Sequence, residues 1–271
     1  MINSKFVRLE WKQMLRSRWM QLVALLFVFV FASVSLIQQM ALPEVEGFTR
    51  QSAAALNLQL FLLPLFLLTI GSMSIAGDVE SGWLSLLKTY PITLRQYVFG
   101  KYAALLLSFF VMLALSFSVV IGTGAFVGQL GISWVFVVLS FLIVLIFAAI
   151  ALLIGAIAKS RLHALALSLV LWASWLLLLS YALMAIGTFS AGHVLQKLLI
   201  VNIHINPAEW LRFGYFLLSK QEAVLGPAFY SFTNFYSSPF GLFVYACLSV
   251  LWIILSLGFA VFILDRKGRV E

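Results

Sequence analysis

Six apolar runs, at residues 19–37, 55–76, 102–127, 132–158, 162–187 and 242–264, carry no Asp, Glu, Lys or Arg in their interiors. A helix needs about 20 such residues to cross a hydrocarbon layer of about 30 Å. Backbone polar groups in that layer find no water, so a helix, which bonds its own backbone, is the structure such runs adopt. The expected fold is therefore all-α: a polytopic membrane protein with six transmembrane helices in one transmembrane domain spanning residues 1–271. Hydrophobic residues make up 63% of the chain and charged ones 10%, which excludes a large water-soluble domain. The one cysteine, Cys247, lies within an apolar run and supports neither a disulfide framework nor a thiolate metal site.

Between the second and third runs lies a segment too charged for a bilayer, Gly77 to Lys101, which carries Asp78, Glu80, Lys88, Arg95 and Lys101. Val79, Trp83, Leu86, Leu87 and Tyr90 recur in it at near-helical spacing, which predicts an apolar stripe on a polar helix. Pro91 breaks that helix, and a second amphipathic piece from Ile92 to Lys101 leads into the third span. The expectation is a helix-turn-helix held at the membrane surface, open to a partner outside the membrane.

Residues 1–18 place Lys5, Arg8, Lys12 and Arg16 on one helical face and Phe6, Val7, Trp11, Met14 and Leu15 on the other. Such a helix suits an anionic membrane surface, each basic residue contributing about 1 kcal/mol. The alternatives are a solvated terminus or a signal peptide. The apolar run that follows is longer than a signal core and closes without an A-x-A pattern, so it is taken as a retained span.

Pro64, inside the second span, predicts a kink. Gly124 and Gly128 have the spacing of a close helix approach, though both also suit a turn. Residues 188–240 interrupt the apolar pattern and read as an external segment with one or two short interfacial or re-entrant helices. One of these starts at Asn206-Pro207, with Asn as cap and Pro in the first turn. His193 and His204 stand without a carboxylate or thiol cluster, so no metal site is assigned.

The charges give the orientation. With six spans and the N-terminus inside, thirteen of the seventeen basic residues and five of the nine acidic ones fall on the inner side. The inner face then carries +8 and the outer face balances. By the positive-inside rule both termini and residues 77–101 are cytoplasmic and the chain sits in a cell membrane. Basic residues distributed this way face a lipid membrane rather than a nucleic acid.

The chemistry that is missing narrows the function. No ionisable group lies in a span core to couple an ion gradient. A phosphate-binding loop is lacking too, since Gly100-Lys101 has no glycine five residues before it. Nucleotide energy would have to come from another chain. An intramembrane hydrolase built on Ser72, Ser74 and His163 is a rival class, but small hydroxyl residues in membrane helices more often bond the backbone or pack.

Glu80-x-Gly82-x-Leu84-x-x-Leu87, followed by Tyr90-Pro91, Arg95 and Gly100-Lys101, resembles the cytoplasmic stretch between spans two and three of type-2 ABC exporter permeases. The basic helix before span one is similar to their connecting helix. Tyr90-Pro91 and Asn206-Pro207 followed by Arg212 look most similar to the permeases of nitrous oxide reductase maturation systems.

That resemblance implies a homodimer, two separate ATPase subunits carrying ATP and Mg, and no cofactor on this chain. It also implies a coupling hairpin docked on the ATPase. In it Asp78, Glu80, Gly82, Pro91, Arg95 and Lys101 would be polar or orienting groups, and Trp83, Leu86 and Leu87 the apolar anchor. Lys5, Arg8, Trp11, Lys12 and Arg16 would form the membrane-surface helix. Asn206, Pro207, Glu209 and Arg212 would face an external accessory protein involved in copper-site assembly. The alternative to transport is a membrane scaffold or assembly protein with no path of its own.

Overall fold

A computed structural model describes residues 4–41, 50–87, 89–90, 92–127 and 133–270, and these are helical nearly throughout, with no strand among them. Pro91 and Gly128 lie outside the described residues. Among the described residues twelve α-helices follow one another: α1 (Ser4–Arg16), α2 (Arg18–Ala41), α3 (Arg50–Glu80), α4 (Trp83–Leu87), α5 (Leu94–Val127), α6 (Trp134–Ile157), α7 (Arg161–Ala173), α8 (Leu179–Phe189), α9 (Gly192–Ile205), α10 (Pro207–Leu218), α11 (Tyr230–Ser237) and α12 (Pro239–Val270). A π-helical turn, Ser174–Leu178, joins α7 to α8.

Among the described residues five segments are long and apolar enough to cross a membrane: α3, α5, α6, α7 with α8, and α12. The sixth candidate is α2 taken together with α1, which meets it at a 66° bend. Arg18 begins α2 directly after Ser17, and Gln21 Nε2 donates back across the corner to Leu15 O (3.2 Å).

At the centre stands α6, the most apolar of the spans and the most enclosed. A helix apolar all round has no face to offer water or a polar neighbour, so the others pack around it. Its tightest neighbour is α3. A Cβ on Gly155 would lie 2.5 Å from Ser72 O, and one on Gly71 would lie 2.6 Å from the Ala151 Cβ, so small residues set this separation. The spacing of Gly124 and Gly128 falls partly outside the described residues, and this contact is made by glycines on two different helices. Pro64 sits inside α3, which continues through it.

Polar side chains in the spans mostly bond within the bundle. Ser72 Oγ and Ser168 Oγ lie 2.8 Å apart, and Ser168 also donates to Leu68 O. By contrast α7 and α8 run along the rim with little of their surface enclosed by the rest of the chain. Trp172 Nε1 tethers α7 to α3 by donating to Phe61 O (3.0 Å).

Candidate transmission site

The charged end of the bundle collects the C-terminal ends of α3, α6 and α12 with the N-terminal ends of α5 and α7, and α1 lies across it. Here α3 continues to Glu80 and α5 starts at Leu94, so much of residues 77–101 is helix continuous with the two spans. Two local signals set these limits. Gly82 adopts φ of +73°, a left-handed conformation that an L side chain enters at a cost of about 1–2 kcal/mol, and this stops α3. Thr93 and Gln96 form a reciprocal capping box: the Thr93 N–H donates to Gln96 Oε1 (3.0 Å) and the Gln96 N–H donates to Thr93 Oγ1 (3.3 Å). The piece read as a second amphipathic helix is thus the first turns of α5.

Between these limits α4 stands out from the bundle. Leu84 is buried and anchors it, while Trp83, Leu86 and Tyr90 are exposed. Thr89 Oγ1 donates to Leu86 O (2.7 Å) and closes the turn after it. The exposed side chains of Trp83 and Leu86 give α4 an apolar knob beside the charged groups of this end, and Arg95 is exposed nearby along the chain on α5.

The base of the knob is fixed by a buried ionic cluster. Lys101 Nζ lies 2.7 Å from Glu10 Oε2 and 2.9 Å from Asp78 Oδ2, and Tyr97 Oη donates to the same Asp78 oxygen (2.7 Å). Lys101 is 4% exposed and Glu10 3%, so these groups have given up water for one another. One ammonium serves two carboxylates. Burial pushes the Glu10 carboxyl above its usual range, Lys101 pulls it back, and Asp78 pushes it up again.

The rest of α1 is shaped to this contact. Phe6 packs on Tyr97 with ring centroids 6.0 Å apart and covers Gly100, where a Cβ would come within 2.6 Å of its ring. Phe6, Glu10 and Met14 face inward, and Lys5, Arg8, Lys12 and Arg16 are exposed. Part of the apolar face expected to lie in lipid is therefore spent on α5, because Tyr97 and Gly100 offer it a fitted partner. Trp11 is half-buried against the core.

Two further ties close the ring. Glu80 Oε2 accepts from the Arg161 backbone N–H (2.8 Å), placing a negative charge on the positive end of α7. Ser160 caps the same helix by accepting from the His163 N–H (3.2 Å). Lys267 Nζ donates to Ile157 O (3.1 Å) and Ala158 O (2.7 Å), joining α12 to the negative end of α6. The resulting end ties α1, α3 and α5 to one another, and α4 is attached to it through α3.

At the opposite end the organisation is aromatic. Trp210, 1% exposed, stacks on Tyr245 (4.5 Å, 18°) and donates from Nε1 to Ser249 Oγ (2.9 Å). Phe213 and Tyr236 pack around it. Asn206 caps α10 as expected, its Oδ1 accepting from the Ala208 N–H, and its Nδ2 donates to Trp175 O in the π turn (2.7 Å). It is fully buried, and Pro207 is buried beside it, so both serve the architecture. Glu209 and Arg212 pair across one turn of α10, and Arg212 also reaches Asn57 of α3. Both ring nitrogens of His204 are engaged, one with Ile200 O and one with Tyr236 Oη.

The hydrolase pairing gains no support from the geometry. Ser72 is engaged with Ser168 and backbone carbonyls, and His163 Nδ1 accepts from the Lys159 N–H (3.3 Å).

Known sequences place this architecture. The family profile described as ABC-2 family transporter protein matches residues 5–269, almost the whole chain. The chain belongs to the ABC-2 transporter family. Two proteins named as probable ABC transporter permease NosY resemble it. The one from Pseudomonas aeruginosa is 31% identical over 212 residues, 73% of this chain and 75% of the relative. The one from Stutzerimonas stutzeri is 28% identical over 218 residues, 76% and 78%. An ABC-2 permease is a membrane-embedded transporter subunit rather than an enzyme, in keeping with the apolar spans.

Several residues of this permease end escaped sequence reasoning, and two left a signal. Glu10 is the acid at the centre of the Phe6, Glu10, Met14 stripe, an inward position that a charge occupies only with a partner. Thr93-x-x-Gln96 carried the start of α5. Tyr97, Arg161 and Lys267 had no comparable mark, because their partners lie far away in sequence.

Proposed function

We propose that this chain is the membrane subunit of an ATP-driven exporter, working as two copies with two separate ATPase subunits that carry ATP and Mg. The observation that carries this reading is the exposed Trp83–Leu86 knob on a base tied by the Glu10–Lys101–Asp78–Tyr97 cluster. An apolar projection at a charged end suits a cleft in a partner, and its attachments pass movement to α1, α3 and α5. Membership of the ABC-2 family supports a partner ATP-binding subunit. Glu80 and Arg95 would add polar contacts at the docking edge, with Gly82 shaping the turn before α4.

The charge count supports a cytoplasmic location for the same end, whose exposed ridge of Lys5, Arg8, Lys12 and Arg16 would face anionic lipid headgroups. Likeness to the two NosY permeases, with the resemblance drawn from the sequence, supports a role in copper-site maturation of nitrous oxide reductase. In that role Glu209 and Arg212 would offer the polar contact for an external accessory protein. Co-purification tests the core of this reading: tagged chain should bring down an ATPase subunit, and a chain isolated without one would point to the scaffold alternative. In the reconstituted complex, replacing Glu80 and Arg95 together should abolish stimulation of ATP hydrolysis while the protein stays folded.

A further inference from the structure

At the charged end, α5 and α12 flank a groove of about 980 Å³. Phe99 of α5 and Leu257, Gly258 and Phe262 of α12 give it an apolar wall, and its mouth carries Arg95 and Asp265. Arg266 adds a second cation beside that mouth, its guanidinium 4.9 Å from the Phe262 ring centre, so the positive charges outnumber the negative one. From Ile253 to Asp265, α12 follows the groove for about 18 Å of helix. One leaflet of hydrocarbon is about 15 Å deep.

A slot with a cationic mouth, an apolar wall and the depth of one leaflet has the polarity profile of a phospholipid. We propose that it holds one anionic glycerophospholipid of the adjoining leaflet, with its phosphate on Arg95 and an acyl chain lying over Gly258. A guanidinium matches phosphate oxygens with paired donors, which an ammonium does not. Gly258 leaves open space where a Cβ would stand, which gives the chain its bed. The site shares Arg95 with the proposed docking edge, and lipid occupancy is read on the chain alone, with no partner subunit present, so its failure is distinguishable from failure of the ATPase reading.

Native mass spectrometry of the purified full chain, titrated with dioleoylphosphatidylglycerol or dioleoylphosphatidylcholine, tests this. One phosphatidylglycerol per chain should be retained about tenfold more tightly than phosphatidylcholine. Gly258→Phe fills the groove at unchanged charge and should abolish that retention at an unaltered melting temperature. Arg95→Gln should remove the preference between the two lipids. Ile254→Trp fills the same groove from an exposed position, and supplies the comparison if Gly258→Phe fails to fold. Retention unchanged in the folded groove-filling variants overturns the proposal. Conversion of dimers to monomers by those variants, with the bound lipid unaltered, also overturns it and assigns the groove to a second copy.

Discussion

The two ends of this permease are held together by different physics. At one end two carboxylates and a tyrosine, drawn from α1, α3 and α5, gather around the single buried ammonium of Lys101. At the other, Trp210, Phe213, Tyr236 and Tyr245 form an aromatic packing with hydrogen bonds at its edge. Aromatic burial is tolerant of small displacements and gives a firm platform. Buried charges are directional and lose much of their value when the partner moves away. An end that must move as a unit is served by the second kind, and an end that must stay put by the first.

That contrast can be broken most severely at Lys101. Lys101→Met leaves Glu10 and Asp78 buried without their counter-charge and should cost about 3–5 kcal/mol, read as a lower melting temperature in detergent. Little change would mean that water reaches the carboxylates and the cluster is not a lock. At the other end Trp210→Phe keeps an aromatic ring but a smaller one, removing the donor to Ser249 and leaving a small void. About 1–3 kcal/mol should be lost there, with ATPase stimulation intact. Equal loss of stimulation would remove the division of labour between the ends.

Smaller effects sharpen the picture. Gly82→Ala places a side chain on the left-handed residue that ends α3, and about 1–2 kcal/mol should be lost although open space surrounds the position. Smallest is the pH dependence of Glu10. Its carboxyl binds a proton more tightly when folded than at the ordinary value of 4.5, so between 4.5 and the raised value the folded form holds more protons than the unfolded chain. Stability from this group therefore falls as pH rises through that window and recovers on acidification. Glu10→Gln should flatten that slope in melting temperature against pH, and parallel slopes would show that Glu10 does not titrate there.

The spans were legible because an uninterrupted apolar run has one solution in a bilayer, and the breaks between spans follow from the charges that interrupt them. The start of α10 was legible too, since Asn206 and Pro207 act within two residues of where they stand. What the chain did not reveal is who meets whom across it. Lys101 sits 91 positions from Glu10 and 23 from Asp78 in sequence, and only packing decides that one ammonium serves both. The end of α3 was hidden differently. The apolar spacing from Val79 to Tyr90 suggested one helix, but the left-handed Gly82 divides it, and local backbone geometry outweighs periodicity there.

The central claim is that the α4 knob passes the partner's motion into the bundle. It is tested most directly by the ATP hydrolysis rate of the assembled complex carrying Trp83→Ser with Leu86→Ser, both changes lying on exposed side chains. The account predicts an unaltered melting temperature with stimulation by the permease lost. Full stimulation in that double variant would contradict it.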